Sequence, residues 1–163
     1  MDTTFFGEFT MRMDDKGRVQ VPAEFRRTLS AADPDRADTE NPVVYILFGN
    51  TTVPWFECHS AASMKRVLAR VEAMPASHPR KAAFKIYYSA KVEQVRLDDA
   101  GRLVLKKSLR ERIALGRDVK FMSNLETFRL MSAEVPVEVA DPLDALLAEL
   151  GPAADLDAEL PDA

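Results

Sequence analysis

One stretch of this chain occurs twice, and that repetition limits the folds open to it more than any local propensity does. Residues 13–29, MDDKGRVQVPAEFRRTL, align without a gap to residues 97–113, LDDAGRLVLKKSLRERI. Asp14, Asp15, Gly17, Arg18 and Arg26 meet Asp98, Asp99, Gly101, Arg102 and Arg110, and positions 13, 19, 21, 25 and 29 are apolar in both copies. Four of the identities sit together in one DDxGR pattern, so the expectation is two copies of a single supersecondary unit.

Each copy has a shape that its residues dictate. In residues 5–13, Phe5, Gly7, Phe9, Met11 and Met13 alternate with Glu8, Thr10 and Arg12, the period of a half-buried strand. The Asp-Asp-Lys-Gly run then suits a tight turn, with Asp14 accepting local amide bonds and Gly17 supplying a positive φ. Val19 and Val21 predict a short return strand, Pro22 suits the first turn of a helix, and Phe25 and Leu29 space its apolar face. In the second copy the strand is 92–97, the turn runs from Asp98 to Gly101, Leu103 and Leu105 make the return, and Leu109 and Ile113 the helix face, which Gly116 is expected to end. A strand pair follows each helix: 43–48 with 53–58 around Gly49-Asn50, then 119–122 with 127–131 around Asn124. Between the copies, Ser60 is placed to cap a helix carrying Met64, Val67, Leu68 and Val71 up to Pro75, and a second helical run covers 79–88. Residues 31–42, rich in Asp and Pro, read as a polar loop outside the core.

Charge divides the chain. Residues 1–131 hold all 22 Lys and Arg and 17 of the 26 acids, a net +5, whereas residues 132–163 hold nine acids and no Lys or Arg, a net −9. A basic body with an acidic tail points to a polyanion partner for the body alone. The longest apolar run, residues 43–48, is far short of the roughly 18 residues that a membrane span needs. A lone cysteine, Cys58, excludes an internal disulfide and makes a Cys/His zinc site unexpected.

The segment FFGEFTMRMDDKGRVQVPAEFRRTL resembles the opening of the bacterial MraZ proteins, and the second copy resembles their second half, from about Phe5 to about Met131. The resemblance implies an α+β fold: a β-rich barrel of the AbrB-like swapped-hairpin kind, formed by two internal repeats with short flanking helices. On that reading residues 5–58 are the first AbrB-like repeat, 59–90 a helical connector, 91–131 the second repeat and 132–163 an acidic C-terminal tail. It further implies a cytoplasmic, nucleoid-associated transcriptional regulator of the division and cell-wall gene cluster, without cofactor or metal. Such a protein binds repeated elements of double-stranded promoter DNA as a homo-oligomeric ring. The arginine of the DxxxR pattern, attributed to DNA contact in that family, falls here on Arg18 and Arg102. Lys16, Arg12 and Arg26, near Arg18 in sequence, are further DNA-contact candidates, while Asp14, Gly17, Asp98 and Gly101 shape the turns. The second copy departs from the first at Ala100 in place of Lys16 and Lys106 in place of Pro22, so the two halves are not expected to contact DNA equally.

Plainer roles stand beside these. Arg18 and Arg102 also suit surface ion pairs with Asp14 and Asp98, which contribute little net stability. The paired acids at 14–15 and 98–99 lack the further spaced ligands of a calcium loop. Cys58 and His59, as strand neighbours, are expected on opposite faces, one packed and one exposed, and so unfit to share a substrate. Phe84, Tyr87 and Tyr88 have the spacing of a core face more than of a base-stacking platform. No phosphate-cradling glycine loop or nucleophile triad argues for an enzyme. The alternative to a DNA-binding regulator is an oligomeric protein-interaction module whose acidic tail docks a basic partner. In that tail Leu143, Leu146, Leu147 and Leu150 fall at helical spacing after Asp141-Pro142, and the stretch beyond Leu150 reads as disordered and solubilising.

Overall fold

Alternation of apolar and polar side chains in the first segment gives strand β1 (Glu8–Arg12), whose Glu8, Thr10 and Arg12 are exposed while Phe9 and Met11 turn inward. The computed structural model describes residues 3–163 and divides after Ala133 into two compact units. In the first unit β1 is followed by β2 (Arg18–Gln20), α1 (Ala23–Ala31), β3 (Val43–Leu47), β4 (Trp55–His59), α2 (Ala61–Ala73) and α3 (Lys81–Lys85). A π-helical turn, Ile86–Ala90, then leads into β5 (Val92–Arg96), β6 (Arg102–Val104), α4 (Lys107–Arg112), β7 (Asp118–Asn124) and β8 (Thr127–Ser132). This is an α+β arrangement whose strand pairs are antiparallel.

Six strands form one sheet in the order β1-β7-β8-β4-β3-β5, and β2 pairs with β6 in a second, two-stranded ribbon. The order crosses the two halves of the chain. The leading strand of the first DDxGR segment pairs with the hairpin that follows the second, Phe9 opposite Phe121, and the leading strand of the second pairs with β3, Glu93 opposite Ile46. Neither half can complete its sheet without the other.

The core fills the space these crossings enclose. Phe25 of α1 lies 5.1 Å from Phe5, 5.5 Å from Phe9 and 5.1 Å from Phe128 between ring centroids, so a helix of the first half is anchored on β8 of the second. Burying one such ring stabilises the fold by about 2–3 kcal/mol. Val19, Val21, Leu29, Ile46, Leu103, Leu105 and Leu130 belong to the same cluster.

The helices begin and end for local reasons, with one correction. Ser60 Oγ accepts the Ser63 amide at 3.2 Å, capping α2, and Pro22 stands immediately before α1. In the second segment Gly116 does not end the helix. α4 stops at Arg112, and Ala114 takes the left-handed turn (φ +50°), with the Leu115 amide bonding back to Arg110 O. The 31–42 loop is less detached than its composition indicates. Ala32, Asp33 and Pro42 are buried, and Asp33 Oδ2 accepts the Val43 amide, tying the loop to the start of β3.

The second unit holds α5 (Val137–Ala140), α6 (Leu143–Leu150) and a 3-10 turn at Leu156–Glu159, the last in a stretch that composition reads as disordered. Asp141 Oδ1 accepts the Leu143 amide at the start of α6. Leu143, Leu146 and Leu147 remain 41–47% exposed.

Candidate nucleic-acid interface

The two DDxGR turns are built by the same bonds. In the first, Asp14 Oδ1 accepts the amides of Lys16 (3.0 Å) and Arg18 (2.9 Å), Asp14 Oδ2 accepts Arg18 Nε (2.6 Å), and the Gly17 amide donates to Asp14 O. In the second, Asp98 Oδ1 accepts the amides of Ala100 (3.0 Å) and Arg102 (2.8 Å), Asp98 Oδ2 accepts Arg102 Nε (2.8 Å), and the Gly101 amide donates to Asp98 O. The backbone amide of the arginine is the main influence holding each aspartate below the usual carboxylate value, with the guanidinium adding to it. Gly17 and Gly101 both adopt φ +79°, which L side chains rarely take.

Each arginine is thus oriented by its own turn but not consumed by it. Arg18 and Arg102 use Nε for the aspartate, and no described residue bonds their terminal nitrogens, leaving the end of each guanidinium for a ligand. Their side chains are 37% and 36% exposed. The ion-pair role and the ligand role therefore coexist.

The ribbon sets the arginines relative to one another. Arg18 stands opposite Val104, Val19 opposite Leu103 and Gln20 opposite Arg102. Val19 and Leu103, 0% exposed, point into the core, so Arg18, Gln20, Arg102 and Val104 share the outer face. Arg18 and Arg102 are diagonal neighbours there, about 7–8 Å apart by ladder geometry. Gln20 Nε2 donates to Ala100 O at 2.8 Å, linking the ribbon to the second turn.

The other candidates are distributed in a way that sequence proximity does not reveal. Lys16 is exposed at the tip of the first turn, while Arg12, Asp14, Asp15 and Arg117 line one surface pocket, with Arg117 Nη2 3.4 Å from Asp15 Oδ1. Arg26 does not join them. Its side chain lies over Gly101, filling the space where a Cβ would stand on the second turn. Arg110 does the same for the first, its Nε 3.0 Å from the Cβ position of Gly17 and donating to Leu105 O. The matched helix arginines thus back each other's turns. Sequence reasoning missed Gln20, Val104 and Arg110 in this neighbourhood; the equivalence of Arg26 and Arg110 in the alignment was the available signal.

Two further expectations are corrected by the packing. Cys58 and His59 are both buried, because α2 covers the end of β4 from the side that solvent would otherwise reach. His59 Nδ1 shares a 2.8 Å hydrogen bond with Ser63 Oγ, and desolvation lowers its pKa, while burial raises that of Cys58. Phe84, Tyr87 and Tyr88 lie outside the core cluster. Phe84 is 38% exposed, and Phe84 and Tyr88 line a surface groove with Val67, Arg70, Val71 and Met74 of the α2 region. Among the described residues, no three metal-binding side chains are grouped to hold an ion, and no helix is long and apolar enough to cross a membrane.

No family model matches the chain. It is, however, 31% identical over 162 residues to a protein of Ruegeria sp. (strain TM1040) described as transcriptional regulator MraZ, an alignment covering 99% of this chain and 92% of that one. The Ruegeria pomeroyi protein of the same description is 32% identical over 130 residues, covering 80% and 78% of the two chains, and that of Chromobacterium violaceum 28% over 134 residues, covering 78% and 80%. With relatives so named along nearly its whole length, the chain belongs to the MraZ family of transcriptional regulators.

Proposed function

We propose that the chain regulates transcription by sequence-specific binding to double-stranded promoter DNA through the ribbon that carries Arg18 and Arg102. The observation that carries this reading is the pairing of two preoriented guanidinium groups on one outward face, each held by Nε and open at its terminal nitrogens. A two-stranded ribbon fits the major groove, where arginine bonds guanine O6 and N7 bidentately. Gln20 and Val104 lie on the same face; Gln20 Nε2 is engaged with the Ala100 and Gly101 carbonyls, which leaves its Oε1 to accept a hydrogen bond from a base, and Val104 offers an apolar surface suited to a thymine methyl. Lys16 and Arg12 add exposed cations near the first turn that can meet phosphates, and Arg26 supports the second turn.

In this reading the interlocked halves are two AbrB-like swapped-hairpin repeats, 5–58 and 91–131, joined by a connector at 59–90 and followed by the acidic tail 132–163. The regulator binds repeated elements as a homo-oligomeric ring, its target the promoter of the division and cell-wall cluster, and it is nucleoid-associated. Several linked ribbons multiply the modest affinity of one. Direct anisotropy titration of the DNA upstream of the protein's own gene tests the reading. Arg18→Ala is expected to cost about 1–3 kcal/mol of binding and Arg102→Ala less, because Lys16 reinforces the first turn where Ala100 does not reinforce the second. Retention of full affinity and sequence preference in both variants would refute it, and light scattering that shows a monomer at working concentration would refute the ring.

A further inference from the structure

The DDxGR turns orient arginines, but they contribute almost no net charge. Residues 14–18 hold two acids against Lys16 and Arg18, and residues 98–102 hold two acids against Arg102 alone. The positive charge of the body lies elsewhere. Residues 60–91, the segment between β4 and β5, contain seven Lys and Arg and one acid, Glu72; the other residues up to 131 contain fifteen Lys and Arg against sixteen acids. The whole excess of the body therefore resides in the α2–α3 connector.

Two of those seven cations are committed to the fold. Arg66 Nη2 lies 3.0 Å from Glu126 Oε2, and Lys81 Nζ donates to Met74 O and Glu72 O, closing the C-terminal end of α2. Lys65, Arg70, Arg80, Lys85 and Lys91 are exposed, and none has a carboxylate partner among the described residues. Five unpaired cations on a segment of 32 residues carry an electrostatic cost of mutual repulsion that a neutral connector would avoid. A polyanion along the connector would relieve it.

We propose that the connector is a second DNA surface, which holds the phosphate backbone without regard to sequence while the ribbon reads bases. The proposal rests on the DNA-binding reading above. It separates two tasks that a single acid-compensated turn cannot combine: net attraction, which comes from Lys65, Arg70, Arg80, Lys85 and Lys91, and discrimination, which comes from Arg18 and Arg102. The attraction is a counterion-release effect, so it is read in the salt dependence of binding.

The test uses the full chain and two duplexes of equal length, one from the region upstream of its own gene and one of random sequence. Lys65, Arg70 and Lys85 are changed together to Gln; all three are exposed, so folding is expected to persist, which far-UV circular dichroism and light scattering verify. Loss of three phosphate contacts lowers the salt slope by about 2.7, so the ratio of Kd at 200 mM to Kd at 50 mM salt shrinks by about 40-fold, on both duplexes alike. Arg18→Ala is expected instead to erode the preference for the upstream duplex. A salt ratio unchanged in the triple variant, with preference still lost in Arg18→Ala, overturns the connector surface and leaves the DNA reading standing. Absence of binding by the unsubstituted chain to either duplex removes both. A triple variant that assembles differently while keeping its salt slope assigns the connector to chain–chain contact, and that also overturns the proposal.

Discussion

Gly17 and Gly101 occupy matched places in two matched turns, yet the structure separates the consequences of giving each a side chain. Both adopt φ +79°, so alanine pays about 1–2 kcal/mol at either position for the left-handed conformation. What the new Cβ meets is different. At Gly17 it runs into the backbone oxygen of Leu105, which is fixed because Leu105 N donates to Gly17 O at 2.8 Å and Leu105 O accepts Arg110 Nε at 3.0 Å. Relief requires the ribbon to part there, and losing those bonds adds about 1–3 kcal/mol. At Gly101 the Cβ meets the Arg26 side chain and Gln20 Nε2, flexible groups that swing aside. Gly17→Ala is therefore expected to cost about 2–5 kcal/mol, from the φ and bond terms together, and Gly101→Ala about 1–2 kcal/mol. Urea unfolding at one fixed protein concentration measures both. Asparagine tolerates positive φ, so Gly101→Asn is expected to cost no more than Gly101→Ala, while Gly17→Asn stays destabilised by the backbone clash. Equal losses at the two sites, or a larger loss at Gly101, would refute the reasoning.

Three further outcomes are expected. Because desolvation lowers the pKa of His59, the unfolded chain takes up that proton first as pH falls through about 6.5, and stability declines below that pH; His59→Gln should flatten the decline in thermal melts between pH 5 and 7, and an unchanged profile would count against it. Cys58 is fully buried with its thiol pKa raised, so a thiol reagent should label it only at the rate of unfolding, and rapid labelling of the native chain would contradict the packing. Truncation after Ala133 removes nine acids and should tighten DNA binding at low salt, with a smaller gain at high salt as screening shortens the range of the tail's field; affinity unchanged at every salt concentration would exclude an electrostatic role for the tail.

The parts of this protein legible from sequence are those whose bonds close within a few residues. The Asp14 and Asp98 turns are complete inside five positions, as is the Ser60 cap of α2, and the alternation of residues 5–13 follows from strand geometry alone. The similarity of the two DDxGR segments likewise shows that both turns are closed by the same internal bonds. Tertiary structure alone decided what lies across from each turn. Arg26 is near Arg18 in sequence but backs Gly101, and Arg110 backs Gly17, because β2 pairs with β6 and brings the halves together antiparallel. The same pairing puts Arg18, Gln20 and Arg102 on one face, a juxtaposition no spacing along the chain encodes. Burial was also decided at this level. His59 is enclosed because α2 covers the end of its strand, whereas Phe84 stays 38% exposed in the open groove it shares with α2, so helical periodicity identifies an apolar face without determining how fully it is covered.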